Sequence, residues 1–258
     1  MATVKQMTLA RWVLAGMIAV ALLLRAPITG VPPALLPISQ TLELNATAAG
    51  LVTTLPLICF GVFAFLSPVL SAKFGVEPTL WVAIVLLLAG IGVRLVVGVT
   101  PFFIGTLLIG LGVAIGNVIV PALVRTWFAH RLVLVMGLYS VMLQVSGSAG
   151  PFVTSMGLAA GADWPIAIGV WIIPGLFVLA LWTLVSVLIR RQAGGHAHKG
   201  KAPSGMGQVA RRPIVWLITF VMGVQSLLFY TLVTWLPTQF RLVGLDTAQA
   251  GLLLTAYT

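Results

Sequence analysis

Charged side chains are scarce in this sequence, and acids are the rarest of them. Of 258 residues only 7% are charged, with 4 Asp and Glu against 14 Lys and Arg. An average soluble domain carries about 25% charged residues, so the composition excludes that class. Hydrophobic residues make up 60% of the chain, in repeated runs long enough to cross a ~30 Å hydrocarbon layer. The composition therefore predicts an all-α polytopic membrane protein.

Residues for enzyme chemistry are also scarce. The single cysteine, Cys59, has no partner for an internal disulfide or a thiolate metal site. No HExxH, GxSxG or P-loop sequence occurs, and His196 and His198 lie in a glycine-rich segment where solvated histidines are the rule. We therefore expect no enzyme, no cofactor and no metal. The net charge of +10 resides in short loops, where it records membrane orientation rather than a nucleic-acid partner.

Apolar runs predict seven complete membrane spans. Their approximate limits, which define spans 1 to 7, are 12–38, 48–70, 79–99, 102–124, 132–158, 165–189 and 213–240. An eighth apolar run opens at Ala248 and continues to Thr258, a helical rise of only about 16 Å. The expectation is a chain that ends inside a helix and belongs to a longer protein.

The distribution of basic residues predicts the orientation. With the N-terminus inside, cytoplasmic segments hold nearly all loop lysines and arginines, whereas the outside loops hold only Arg241. This bias predicts a cytoplasmic N-terminus in a plasma membrane, the bacterial inner membrane. The segment 190–212 is basic and glycine-rich and predicts a flexible cytoplasmic linker. It would separate a six-helix half, 1–189, from the start of a second half, 213–258.

Two stretches on either side of that linker repeat each other. Leu36-Pro37 recurs as Leu236-Pro237, at an offset of 200 residues. Leu44-Asn45 followed by Ala49-Gly50-Leu51 recurs as Leu245-Asp246 followed by Ala250-Gly251-Leu252, at an offset of 201. Asn and Asp are both suited to cap the next helix. The pattern predicts two parallel halves of six helices, as in secondary transporters, although chance similarity between apolar segments is the competing explanation.

Polar residues at matching depths mark a candidate substrate site. Arg25 lies about 20 Å into span 1, and Gln225 is its counterpart in span 7, at the repeat offset. Gln144 reaches a similar depth in span 5. Thr29 and Tyr230 lie one turn or so from these residues, and Asn117 follows a glycine stripe in span 4. The predicted substrate-binding residues are Arg25, Thr29, Asn117, Gln144, Gln225 and Tyr230.

The competing interpretation is that these side chains bond neighbouring helices, as membrane Ser, Thr and Gln often do. For the hydroxyls that interpretation is favoured, and for Asn117 the two are balanced. A ligand role is favoured for Arg25, because no acid falls within a predicted span to neutralise it. Arg94, the other arginine within a span, is placed in the outer third of span 3. There a long side chain can snorkel toward the interface, which predicts a structural role.

Several segments together resemble a known family. They are Leu24-Arg25 with Thr29-Gly30, Gly50-Leu51-Val52-Thr53-Thr54-Leu55-Pro56, Gly116-Asn117-Val118 with Pro121, Trp235-Leu236-Pro237 and Ala248-Gln249-Ala250-Gly251. This set resembles the cyanate permease and 2-nitroimidazole transporter branch of the major facilitator superfamily. The resemblance implies that spans 1, 2, 4, 5 and 7 line a central cavity together with the helix that the eighth apolar run begins. Spans 3 and 6 would be peripheral.

The sequence hypothesis is thus a secondary transporter with the major facilitator fold. Its substrate would be a small anion or weak acid, because a guanidinium can grip a planar anion with two parallel hydrogen bonds. We expect it to work as a monomer in a lipid bilayer, by alternating access. Residues 1–258 are expected to hold no proton-carrying carboxylate, so either further helices supply the acid or transport runs by facilitated diffusion or exchange. The alternatives are a membrane-embedded enzyme, a receptor or assembly module without transport, and an inactive fragment.

Overall fold

The computed structural model describes residues 4–192 and 211–257, and every regular element among them is helical. Span 1 consists of Val4–Leu24, Ala26–Thr29 and Val31–Thr41, and span 2 of Ala46–Phe63 and Leu66–Phe74. Spans 3, 4 and 5 are Val76–Arg94, Val99–Trp127 and Leu132–Ala159. Span 6 consists of Trp164–Gly169 and Ile172–Gln192, span 7 is Pro213–Leu242, and helix 8 is Thr247–Tyr257.

Within these described residues, seven helical segments are long and apolar enough to cross a membrane. The predicted all-α polytopic fold is therefore confirmed. The predicted limits shift where polar or proline-containing turns extend the helices past the apolar runs, and span 1 continues to Thr41 rather than ending near residue 38. Most of the predicted linker, residues 193–210, lies outside the described residues.

The tightest packing joins spans 3 and 4, and it depends on glycine. A Cβ added at Gly90 would lie 2.6 Å from the carbonyl oxygen of Gly105, and one at Gly112 would lie 2.5 Å from that of Ala83. Two helix backbones can approach this closely only where side chains are missing. Span 1 packs beside this pair, and span 6 closes the bundle with Trp182, which is fully buried.

Span 1 is interrupted at Arg25 because prolines remove its backbone donors. Pro27 has no N–H and its ring clashes with the carbonyl one turn earlier, so the helix that ends at Leu24 restarts at Ala26. Pro32 and Pro33 open the third piece in the same way. The short middle piece, Ala26–Thr29, is entirely buried. The interruption thus places irregular backbone inside the protein, where other helices can satisfy it.

The predicted repeat is also present in the backbone. Asn45 accepts a hydrogen bond from Ala48 N at 2.8 Å, and Asp246 accepts one from Gln249 N at 2.7 Å. The residue that ends the preceding turn has positive φ in both copies, 51° at Glu43 and 92° at Gly244. The two helix–turn–helix units therefore have the same kind of helix cap and a positive-φ turn residue, at the same offset in sequence. This agreement favours a true repeat over chance similarity of apolar segments.

Candidate functional site

Arg25 lies at the interruption of span 1, and its side chain turns toward span 5. The side chain is half-buried, and Nη1 donates a hydrogen bond to Oε1 of Gln144. The arginine stem passes beside Gly147, one turn along span 5, where a Cβ would lie at an ordinary contact distance of 3.7 Å from Cδ of Arg25. The pair predicted at one depth on two helices is therefore in direct contact.

Ser146 secures the backbone that carries Arg25. Its hydroxyl oxygen accepts hydrogen bonds from Arg25 N at 3.1 Å and Ala26 N at 3.0 Å. These two N–H groups begin a new helix, so they have no partner within it. One buried hydroxyl thus compensates the interruption and fixes the origin of the arginine side chain.

An aromatic side chain from span 7 covers the guanidinium. Cζ of Arg25 lies 5.8 Å from the ring centroid of Phe229, within the range of a cation–π interaction. Phe229 in turn contacts Tyr230 at 5.2 Å and stacks on Tyr257 at 6.1 Å, measured between ring centroids. Spans 1, 5 and 7 and helix 8 therefore meet around one positive charge.

A second polar pair borders the same charge. Tyr139 of span 5 donates a hydrogen bond to Oδ1 of Asn117 in span 4, at 3.4 Å. The hydroxyls of Tyr139 and Tyr230 both lie close enough to Arg25 to interact with its charge. Asn117 is thus connected to the Arg25 region through Tyr139, a residue that the sequence analysis did not single out.

Two predicted residues are placed away from the guanidinium. Thr29 is 1% exposed, and its hydroxyl donates to the carbonyl oxygen of Arg25 at 3.2 Å. It packs against the backbone of Gly150, where even a methyl group would not fit. Gln225 is exposed on span 7, one turn before Phe229. The turn from Arg25 to Thr29 stays helical, since Thr29 N donates to Arg25 O at 3.0 Å, and close packing against Gly150 of span 5 is what buries Thr29.

Comparison with known proteins decides the family. Residues 14–258 match the Major Facilitator Superfamily. The chain belongs to this superfamily. Its members are transporters rather than enzymes, so the predicted absence of enzyme activity agrees with the family, and the chain is a multi-pass membrane protein with bacterial relatives.

Among relatives of this superfamily member, an uncharacterized transporter of Bacillus subtilis (strain 168) is 35% identical, over 93% of this chain and 58% of its own. The 2-nitroimidazole transporter of Escherichia coli (strain K12) is 32% identical, over 92% and 60%. The cyanate transport protein CynX of the same strain is 24% identical, over 94% and 62%. The chain thus spans about three fifths of the length of the curated relatives it matches.

Two solved structures have the same fold as the present chain. The D-xylose-proton symporter superimposes with a TM-score of 0.67 at 16% identity, over 95% of this chain and 65% of its own. A bacterial homologue of the human lysosomal transporter Spinster, in an inward-facing and unoccupied conformation, superimposes with a TM-score of 0.69 at 15% identity, over 97% and 59%.

An open, mainly apolar depression lies next to Gln144, the hydrogen-bond partner of Arg25. It measures about 630 Å³ and lies between span 5 and helix 8. Gln144 lines it, together with Ser140 and Ser148 of the same helical face and Thr255 of helix 8. The amide that accepts from Arg25 therefore also borders the space that a solute would enter.

The structure corrects two positions assigned from sequence. Arg94 does not snorkel toward the interface: it is 2% exposed, and Nη1 donates to the carbonyl oxygen of Pro27 at 3.0 Å. Span 3 ends at this residue, and the close glycine packing beside it leaves the side chain directed into the bundle. Glu77, which precedes the predicted start of span 3 at residue 79, lies in the first turn of that span and is 1% exposed, so one acid does lie within a span.

Replacing Ser146 by alanine is expected to destabilise the protein. The variant leaves two buried N–H groups unpartnered, and each such group costs about 1–3 kcal/mol. Ser140→Ala is the matched control on the same helix, since the hydroxyl of Ser140 donates only to the carbonyl of Met136. Thermal unfolding of the two purified variants measures the difference. Equal melting temperatures would show that Ser146 does not support the interruption.

Proposed function

We propose that the chain forms the arginine-bearing part of a substrate site in a secondary transporter for a small planar anion or weak acid. One observation carries the proposal: the guanidinium of Arg25 is bonded to a neutral amide and covered by a ring, and no acid of the sequence lies near it along spans 1, 5 or 7. The four acids are Glu43, Glu77, Asp163 and Asp246, in turns or first helical turns. A half-buried cation within a membrane span that has no protein counter-ion favours an anionic ligand.

The geometry supports planar ligands in particular. Gln144 occupies one guanidinium nitrogen, Nη1, which leaves the donors on Nη2 and Nε for a second partner. Two parallel donors match the two oxygens of a nitro or carboxylate group. Phe229 on one face of the guanidinium adds an apolar wall on which a flat ring can stack.

Names of relatives agree with this chemistry. A 2-nitroimidazole is a flat, weakly acidic ring with a nitro group, and cyanate is a small anion; these are the solutes in the names of the two named relatives from Escherichia coli. We propose that this chain takes a solute of that class. Arg25, Gln144, Tyr139 and Asn117 would contact or orient it, with Phe229 and Tyr230 closing the site from span 7. Thr29 would support the backbone, and Gln225 would border the route to the site.

The proposed mechanism is alternating access. Spans 1, 3, 4, 5 and 6 share one buried core, so they can move as a unit against the half that span 7 begins. In this scheme residues 1–189 form the first half, 190–212 a cytoplasmic linker and 213–258 the start of the second half. We further propose a monomer in the bacterial inner membrane, with its N-terminus in the cytoplasm.

Flux separates this proposal from a receptor that binds without transport. The complete reading frame is expressed, purified and reconstituted into vesicles, and uptake of labelled 2-nitroimidazole is measured against empty vesicles. We expect saturable uptake that excess cyanate or nitrate reduces and that neutral imidazole leaves unchanged. Saturable binding without flux would instead identify a receptor, and equal competition by imidazole would show that charge is not recognised.

A further inference from the structure

We propose that Arg94 is a positioning residue for Arg25, and that it acts by holding the carbonyl oxygen of Pro27. The inference rests on the proposed function, since it assumes that Arg25 binds substrate. Arg94 is the last residue of span 3, a span that the superfamily resemblance makes peripheral. Its contacts nevertheless reach the interruption of span 1, two residues from Arg25.

All three guanidinium nitrogens of Arg94 have partners. Nη1 donates to Pro27 O at 3.0 Å, and Nε and Nη2 donate to Oγ1 of Thr106 in span 4, at 3.1 and 2.9 Å. Cζ lies 5.4 Å from the ring centroid of Phe102, and Thr106 donates to the carbonyl of Phe102 at 2.7 Å. The arginine therefore bridges span 4 and the middle piece of span 1, and none of these contacts is with a carboxylate.

A buried cation is an expensive way to join two helices. Charged side chains within membrane spans are costly, and neutral Ser, Thr or Gln can supply an interhelical hydrogen bond. A charged donor gives a hydrogen bond roughly twice as strong as a neutral one. Two of the charged donors go to the hydroxyl of Thr106, and the third, Nη1, goes to the backbone carbonyl of Pro27 beside the interruption of span 1.

The middle piece of span 1 needs support from outside. It is four residues long, Ala26–Thr29, and Pro32 and Pro33 lack the N–H groups that would bond the carbonyls of Ile28 and Thr29. Ser146 holds its N–H side from span 5, and Arg94 holds Pro27 O from span 3. The two ties together fix the backbone from which the Arg25 side chain extends.

Substrate affinity should respond to that support. A displacement of about 1 Å at a binding group can cost two orders of magnitude in rate. Arg94 touches neither Gln144 nor the depression beside it among the contacts of the described residues, so its effect must pass through the backbone at Arg25. Loss of Arg94 is therefore expected to weaken binding without removing any ligand contact.

The first test compares Arg94→Gln, Arg94→Lys and Thr106→Val in the complete protein, with labelled 2-nitroimidazole as the probe. We expect Arg94→Gln to raise KM roughly tenfold, with the maximal rate per molecule in the membrane nearly unchanged. Arg94→Lys keeps one charged donor for Pro27 O and should recover part of the affinity. If Arg94→Gln does not accumulate in the membrane, Thr106→Val takes its place. This variant removes the hydroxyl that accepts from Arg94 but keeps the charge of Arg94, and it should raise KM by roughly threefold.

The second test shows whether the effect passes through Arg25. In an Arg25→Lys background, Arg94→Gln should change KM by less than about twofold, because a flexible ammonium depends little on backbone position. The same factor in both backgrounds, or wild-type KM in Arg94→Gln and Thr106→Val, would overturn the positioning role. Wild-type uptake by Arg25→Gln would overturn the proposed function itself, and the inference with it.

Discussion

Arg25→Gln is expected to reduce the affinity for a planar anion by roughly a hundredfold or more. Removing one partner of a buried, hydrogen-bonded charge pair costs about 2–5 kcal/mol, and each 1.4 kcal/mol is a factor of ten. The affinity of Arg25→Lys should lie between those of wild type and Arg25→Gln, because lysine keeps the charge but offers no planar pair of donors. The measurement is uptake of labelled 2-nitroimidazole by cells that produce the complete protein, with KM and maximal rate determined separately.

The control for this prediction is Arg125→Gln. Arg125 is exposed at the end of span 4, so the same change in net charge is made far from the interruption of span 1. Uptake by this variant should match wild type when corrected for the amount of protein in the membrane. A loss of equal size in both variants would mean that overall charge, rather than a bond to Arg25, governs uptake.

Gly90→Ala is expected to destabilise the bundle strongly, whereas Gly92→Ala should not. A Cβ at Gly90 would lie 2.6 Å from Gly105 O and 2.8 Å from Ile109 N, both backbone atoms that cannot rotate away. Spans 3 and 4 would have to separate, and overpacking of this kind typically costs about 1–3 kcal/mol or more. At Gly92 the nearest atom is Cδ1 of Ile172 at 3.9 Å, an ordinary contact.

Both variants replace glycine by alanine in the same helix and gain about 1 kcal/mol of helix propensity. The difference between their stabilities therefore reports the packing between spans 3 and 4. Thermal unfolding of the purified complete protein measures it, and Gly90→Ala should melt well below Gly92→Ala. Equal melting temperatures would mean that spans 3 and 4 do not approach as closely as described. Because Arg94 lies one turn after Gly90, the variant should also weaken substrate binding.

Much of the fold could be predicted from the sequence, because membrane spans depend on the length of apolar runs. The number of spans and the repeat follow from composition and from the matching caps at Asn45 and Asp246. The contact between Arg25 and Gln144 could be predicted as well, since both are rare polar residues at one depth. These features could be predicted because each depends either on residues that are close in sequence or on the free-energy cost of burying a polar side chain.

The remaining features depend on tertiary packing. Pro27 signals an interruption, but only the structure shows that Ser146 compensates it and that Thr29 is buried against Gly150 of span 5. The direction of Arg94 could not be read from depth alone, because the side chain of the last residue of a helix can point toward the interface or into the bundle. The role of Phe229 could not be predicted from its residue type, because phenylalanine is common in apolar spans. Its position one turn after Gln225 does place it near the predicted site.

Ligand affinity as a function of pH tests the central claim most directly, namely that Arg25 binds the anionic form of a planar weak acid. Equilibrium binding of 2-nitroimidazole to the purified complete protein is measured for wild type and Arg25→Gln. The anion fraction of the ligand rises with pH, so wild-type affinity should increase as the ligand ionises. Arg25→Gln should bind weakly and without this dependence. Equal affinity of the two proteins at every pH would contradict the assignment of Arg25 as the substrate-binding residue.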